Sequence, residues 1–455
     1  MKIVLVGAGE VGFSVAKSLS QDGHDLVVVE EDEDRAYKAE QELDVMLVRG
    51  NGARPQVLER AGVHPDSGVD LLIACTNRDE VNILACWVAR RMGIHKVIAR
   101  AVGLEFTDTG TWAKDLGIDL MISPERSVAR EVEELLQIRS AVHATELLAG
   151  KAGLYVFRIA PDSPACEVPL HALRRMYPNL ITLVAFIDRE GKGFVPRAGD
   201  SLREGDLCYS VCYRDQVEEL EQIFQPRRRR KLRRVFLVGG GKVGFQVARL
   251  LEHRGGVDVR LLDQDRGKCK RLSQELERTT VLWGDGADED LLRHEGIEDA
   301  DGFVAATGED EKNLLLAVLG KHLGAAKSIA VVKRHSYLKM ADRLPLDAVV
   351  NRNLALSEGI IRNVRYPAGS KVLAVLDQIG AETLEVTLPE TSPAVGVSLQ
   401  DLPLPQGVLL GIVIRGEEAF IPTGATLLQA GDRAVLFAAT HDMPDAVRIL
   451  GVEEA

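Results

Sequence analysis

The stretch Gly7-Ala8-Gly9-Glu10-Val11-Gly12 decides the fold of this chain, and it returns as Gly239-Gly240-Gly241-Lys242-Val243-Gly244 in the second half of its 455 residues. Each copy follows a short apolar run, residues 3–6 or 235–238, and opens a helix-like pattern. That is the context the glycine fingerprint requires. The first glycine permits a tight turn, the second lets backbone N–H groups approach a pyrophosphate, and the third lets helix and strand pack closely. A second apolar run in each half ends in an acid, Glu30 after residues 26–29 and Asp263 after residues 259–262. The acids stand 23 and 24 residues beyond the first glycine, where a carboxylate accepts hydrogen bonds from both hydroxyls of an adenosine ribose. An acid there repels a 2′-phosphate, so charge favours NAD over NADP.

The repeat extends well past the glycines. Gly50-Asn51-Gly52 matches Gly284-Asp285-Gly286, and Thr76-Asn77 with Asp79, Glu80 and Asn82 matches Thr307-Gly308 with Asp310, Glu311 and Asn313. The next apolar run ends in Arg100 in one half and Lys333 in the other. Further on, Ser163-Pro164 pairs with Ser392-Pro393, and Gly205-Asp206 with Gly431-Asp432. These matches imply four modules, large, small, large and small, at a period of roughly 230 residues. The large modules alternate short apolar runs with longer amphipathic stretches, which predicts α/β architecture: two Rossmann-like parallel-sheet domains. The small modules, with short strands at 154–159, 181–187 and 207–212 and again at 383–386, 408–414 and 434–437, predict an α+β domain of about 80 residues each. The expected boundaries are 1–138, 139–225, a basic linker at 226–233, 234–363 and 364–455. The linker run from Arg227 to Arg234 suits an anionic lipid surface or acidic partner face, or is a solvated connection.

The candidate nucleotide-binding residues are therefore all twelve of the two fingerprints, Gly7 to Gly12 and Gly239 to Gly244, with Glu30 and Asp263. Asn51 and Asp285 lie on the third strand-end loop, where they either reach adenosine or make the turn. Thr76-Asn77 and Thr307-Gly308 close the fourth strand and face the crevice at the switch of strand order. Arg100 and Lys333 pair with phosphate or stay solvated.

A formal net charge of −12 argues against a nucleic-acid partner, which needs clustered Lys and Arg. No apolar stretch approaches the ~18 residues of a membrane span, and Lys2 leads directly into a strand, so a cytosolic chain is expected. The six cysteines, Cys75, Cys86, Cys166, Cys208, Cys212 and Cys269, form no CxxC pair and read as reduced core thiols, with no metal site. The duplicated modules carry no duplicated catalyst. HExxH, Gx4GK[ST] and GxSxG are absent from the sequence, and the histidines, among them His171, stand singly. Binding without turnover is the better inference, with an NAD-dependent oxidoreductase as the alternative.

Over essentially its whole length the chain resembles the NAD-binding regulatory subunits of Trk potassium uptake systems, the TrkA family. The resemblance rests on GAGEVG with Glu30, VGGGKVG with Asp263, the helix starts at Asp79 and Asp310, the Ala99-Arg100 strand end and the Gly-Asp turns. It implies two nucleotide-binding RCK (KTN) N-domains, each followed by a small α+β RCK C-terminal domain. It also implies a cytoplasmic, peripheral homo-oligomer, a ring of RCK domains beneath a membrane potassium transporter subunit, binding NAD(H) and also ATP or ADP. Related domains regulate other potassium or cation channels, which leaves that partner class open. Glu30 replaces the commoner Asp, and Lys333 offers a point charge where Arg100 offers a planar fork. The segments after each sheet, 124–138 and 351–362, are expected to be helices that pack on a neighbouring domain.

Overall fold

The computed structural model describes residues 1–21, 23–101, 113, 115–147, 152–178, 182–226, 231–334, 336–341, 343–353, 360, 364, 370–376, 380–416 and 418–452. Six strands, β1 (Lys2–Val6), β2 (Asp25–Glu30), β3 (Met46–Arg49), β4 (Leu71–Ala74), β5 (Lys96–Arg100) and β6 (Leu120–Ile122), form a parallel sheet in the order β3-β2-β1-β4-β5-β6. Helices cover both faces, so β1 is apolar without interruption from Ile3 to Val6. Val4 and Val6 join one core with Val27 and Leu72, while Ile3 and Leu5 join the opposite core with Leu26 and Leu71. Burying each such side chain contributes about 2 kcal/mol.

The chain then makes a small antiparallel sheet from β7 (Ala141–Leu147), β8 (Ala152–Arg158), β9 (Thr182–Arg189), β10 (Lys192–Phe194) and β11 (Leu207–Tyr213), ordered β10-β9-β11-β8-β7. A second large sheet follows: β12 (Arg234–Val238), β13 (Asp258–Asp263), β14 (Thr280–Trp283), β15 (Gly302–Ala305), β16 (Ser328–Val332) and β17 (Ala348–Asn351), in the order β14-β13-β12-β15-β16-β17. The last small sheet, β18 (Ser370–Leu376), β19 (Ala381–Thr387), β20 (Val408–Arg415), β21 (Glu418–Phe420) and β22 (Arg433–Ala439), repeats the connectivity of the first as β18-β19-β22-β20-β21. The predicted three strands per small module are present, and each sheet gains two edge strands that the pattern did not reveal. β10 is only three residues long, set by a turn in which Glu190 (φ 55°) and Gly191 (φ 81°) are both left-handed, the backbone a tight hairpin needs. β7, Ala-Val-His-Ala-Thr-Glu-Leu, pairs on one side only and shows weak alternation.

The repeated small-module motifs are structural bolts. Asp206, 3 % exposed, accepts a two-pronged contact from Arg189 (2.9 and 2.7 Å), and Asp432, 1 % exposed, accepts the same from Arg415 (2.8 and 2.7 Å). Ser163 donates to the Ile223 carbonyl at 2.7 Å and Ser392 to that of Leu450 at 2.6 Å, tying each loop to its C-terminal helix. The two small sheets share a core in which Phe186 and Phe437 meet edge to face, 6.4 Å between ring centroids.

The compact units cut across the halves. One is Met1–Val128 with Lys333–His335 and Asn351–Arg365; the other is Ala129–Val332, Ser336–Val350 and Tyr366–Ala455. In the first unit, Ile360 and Val364 pack on the core containing Ile3 and Leu5. In the second, the C-terminal part of helix Pro124–Gln137 lies against the start of β15 and β16, where Leu136 occupies the space a side chain at Gly302 would need. Lys327 Nζ, fully buried, donates to the carbonyls of Leu135 (2.6 Å), Ile138 (2.8 Å) and Ala141 (2.7 Å), satisfying the end of that helix. Among the described residues, the C-terminal part of the first crossover helix and Ile360 of the second crossover segment thus pack on the other half of the chain. The basic residues Arg227–Arg230 and most of the 351–362 segment lie outside the described residues.

All six cysteines are free, five of them buried, and burial pushes the Cys75, Cys208 and Cys212 thiols up to about 12.

Candidate functional site: two glycine turns with unequal surroundings

Each fingerprint turn is fixed by sterics at its first and third glycines. Gly7 has φ 101° and Gly239 φ 107°, a left-handed conformation that side chains rarely adopt. A Cβ on Gly12 would lie 1.8 Å from the Gly7 carbonyl oxygen, and one on Gly244 would lie 2.0 Å from that of Gly239. The middle glycines are different. A Cβ on Gly9 meets nothing closer than Arg35 Nη1 at 3.8 Å, and one on Gly241 meets nothing within 4 Å. Packing leaves those positions open; a side chain would fill the space in which a pyrophosphate approaches the backbone. The turn at each helix start therefore fits a dinucleotide or nucleotide phosphate.

The strand-end acids lie against these turns. Glu30, 8 % exposed, accepts from Ala8 N (2.5 Å) with one oxygen and from Glu31 N and Asp32 N (both 2.9 Å) with the other. Asp263 accepts from Gly240 N (2.8 Å) and Asp265 N (2.9 Å) in the same pattern, and adds an ion pair with Lys268 at 2.8 Å. Burial opposes ionisation of Asp263, but Lys268 and the backbone N–H groups of Asp265 and Gly240 outweigh it and hold the carboxyl below its usual range. Among the described residues, the strand-end acid is thus engaged by backbone N–H groups in the first copy, and by a cation as well in the second.

Asn82 and Asn313 organise the switch-point loops, a role the sequence motif did not disclose. Asn82 accepts from Thr76 N (2.8 Å) and Thr76 Oγ1 (2.7 Å), and donates to Thr76 O (3.1 Å) and Arg100 O (3.0 Å). Asn313 repeats the set on Thr307 N, Oγ1 and O and on Val331 O. Both are fully or almost fully buried, so the Thr76 and Thr307 hydroxyls are used to join the ends of β4 with β5 and of β15 with β16. Asn51 and Asp285 make their own turns: Ala53 N donates to Asn51 at 2.9 Å and Ala287 N to Asp285 at 3.1 Å. The Ala287 bond, against partial burial, holds the Asp285 carboxyl below its usual range. Asn51 also donates to Glu31 at 3.1 Å, next to Glu30.

In the first unit these residues line a cavity of about 810 Å³. Gly7, Gly9, Glu10, Val11, Glu30, Asn51, Thr76, Asn77 and Arg100 all reach it, whereas Ala8 and Gly12 shape its turn from behind. Lys333 reaches it too. The sequence match makes Lys333 the second copy's cation, yet the chain leaving β16 joins the first unit and brings Lys333, Arg352 and Asn353 to the first cavity. In the second copy, Gly239 abuts Ala306 and Thr307, and Gly240 binds Asp263. Val243 is buried behind the turn, Lys242 begins the helix, a side chain at Gly308 would meet nothing within 4 Å, and Asp285 lies 3.7 Å from Lys312. Arg35, Arg78, Arg352 and Asn353 are cavity residues that the repeat gave no reason to choose. Among the described residues no cluster of His, Cys, Asp or Glu could hold a metal ion, and no helix is long and apolar enough to cross a membrane.

Tandem glycine-turn parallel sheets of Rossmann order, each with a strand-end acid and a small antiparallel partner, define a duplicated nucleotide-binding-domain protein. The family model "TrkA-N domain" matches residues 3–124 and 235–352, and the "TrkA-C domain" matches residues 383–451. The chain is 35 % identical to Trk system potassium uptake protein TrkA homolog 1 of Methanosarcina mazei over 96 % of this chain and 97 % of that one. It is 33 % identical to Trk system potassium uptake protein TrkA of Azorhizobium caulinodans over 97 % of each. The chain belongs to the TrkA family. Among solved structures it shares its fold with the GsuK channel bound to NAD (TM-score 0.62, 19 % identity, covering 99 % of this chain and 79 % of that one). The GsuK RCK domain is similar (TM-score 0.61, 18 %, covering 99 % and 95 %).

Proposed function

We propose that this protein is a cytoplasmic, nucleotide-binding regulatory subunit of a Trk-type potassium uptake system. In this reading it binds NAD(H), and ATP or ADP, and gates a membrane potassium transporter as part of a homo-oligomeric ring of RCK domains. The observation that carries the reading is the open middle glycine of each turn beside a strand-end carboxylate. That pairing suits a phosphate at the helix start and a ribose at the acid. Family membership at 33–35 % identity over nearly the whole length supports the potassium-uptake role, because the relatives carry that name. A bound nucleotide biases the transporter only if two arrangements of the domains bind it with different affinity.

The test is purification of the chain from its native membrane fraction, with mass spectrometry of bound nucleotide and of co-purifying protein. Adenine nucleotide together with a multi-span subunit supports the reading. A preparation with neither, or one that transfers hydride from NADH to small substrates, overturns it. At residue level, Gly9→Val and Gly241→Val each place a side chain where a phosphate would lie. Each should abolish calorimetric nucleotide binding in its own half while leaving thermal stability in place.

A further inference from the structure

The carboxyl edge of the second large sheet presents three different groups in a row. Neighbouring strands β12, β13 and β14 lead, in that order, into the glycine turn, to Asp263 and to Trp283. Asp263 and Trp283 are register partners, so their side chains leave the same face of the sheet from strands about 4.8 Å apart. Trp283 is 62 % exposed, yet its ring is held in place. Its Nε1 donates to the carbonyl of Gln264, the residue after Asp263, at 3.0 Å, and the Arg266 guanidinium lies over the ring, 5.3 Å from its centre. An anchored indole open to solvent is a preorganised stacking surface. A nucleoside phosphate has its parts in the matching order. The ribose carries phosphate at C5′ and base at C1′, on opposite sides, with the two hydroxyls along the edge between them. Phosphate at the turn and hydroxyls on Asp263 therefore direct the base outward along the sheet, to Trp283. The first copy differs at this position: the register partner of Glu30 is Arg49, a largely exposed side chain 4.0 Å from Glu33.

We propose that Trp283 is the base-selecting residue of the second glycine turn, stacking a purine against its indole with Arg266 kept on the opposite face. The proposal rests on the nucleotide-binding reading of that turn and adds the residue that reads the part of the ligand which turn and acid leave untouched. Stacking responds to the area of a π-face rather than to a hydrogen-bonding pattern, so adenine and guanine fit alike and pyrimidines fit less well. At the first turn Arg49 offers a flexible cation in place of a fixed ring, so the two turns differ in how strongly they select a purine.

The experiment is calorimetry of the full chain carrying Gly9→Val, which confines binding to the second turn, with ADP, GDP and UDP. ADP and GDP should bind alike and more tightly than UDP. Trp283→Ala should weaken ADP and GDP about 10-fold or more, the range for a lost base–aromatic stack, and bring both close to UDP. Trp283→Phe keeps a ring and should retain most of the purine preference. A tryptophan with a purely structural role would instead lower all three affinities by one common factor. Indole emission supplies a second readout, since Trp283 is one of three tryptophans. ADP should quench that emission in Gly9→Val, and the quench should vanish when Trp283→Phe is added. A purine-to-pyrimidine ratio unchanged by Trp283→Ala, or a quench that survives Trp283→Phe, overturns the stacking role while leaving nucleotide binding at the turn intact. Binding of none of the three nucleotides overturns the nucleotide reading of the second turn and the stacking role together.

Discussion

The two glycine turns are near copies in backbone and unlike in surroundings. In both, the first and third glycines are closed by sterics, the middle one is open, and an asparagine six residues past the strand-end threonine joins two strands. Around that shared frame the charges differ. Glu30 is held by backbone N–H groups, whereas Asp263 also carries Lys268. The first turn faces a cavity that receives Lys333, Arg352 and Asn353 from far along the chain. Duplication therefore preserved the machinery that shapes the turn and let the charged groups around it diverge. Backbone geometry tolerates almost no change at 1.8–2.0 Å approaches, while a surface cation can be replaced at little structural cost.

The comparison breaks most readily at the shared frame. Gly12→Val and Gly244→Val should each destabilise their own large domain by about 4 kcal/mol or more, because backbone, not a mobile side chain, occupies the Cβ position. Thermal or urea unfolding measures this, and a mild effect in either half would mean that its turn is not held as described. Next in size, Asn82→Ala and Asn313→Ala should cost about 3 kcal/mol apiece through lost and unsatisfied buried hydrogen bonds. Equal losses support a common frame; a large inequality breaks it.

Lys327 has a smaller, pH-dependent signature. Burial lowers it to about 7 from its ordinary 10.5, against the opposing charges of Asp347 and Glu221 and with Lys321 and Arg139 adding to the fall. Between those pH values the unfolded chain binds the extra proton, so stability should rise as pH climbs from about 7 towards 10.5. Lys327→Met should remove that slope and cost about 2 kcal/mol at neutral pH by stranding three carbonyls. The smallest effect sharpens the comparison directly. Lys268→Met releases Asp263 to a ribose and should raise NAD affinity at the second turn about 3- to 10-fold, with the first turn unchanged. Calorimetry in a Gly9→Val background reads it.

Most of the fold was legible because its causes are local. Residues 3–6 read as a strand, since burial on both faces makes the run uniformly apolar, and the Gly-Asp turns marked the small modules through the Asp206–Arg189 and Asp432–Arg415 pairs they close. The edge strands β10 and β21 were hidden because three residues are too few to show a period. Lys268 was hidden for another reason: a lysine on the first turn of an exposed helix looks solvated until its partner's position is known.

By itself the sequence determined the duplicated architecture, the two turns, the strand-end acids and the family, because each depends on residues within about one strand-turn-helix unit. Only the tertiary structure decided which cations stand in the first cavity. Lys333 and Arg352 arrive there through a segment that joins the other half's compact unit, and contacts across more than two hundred residues leave no periodicity in a single chain.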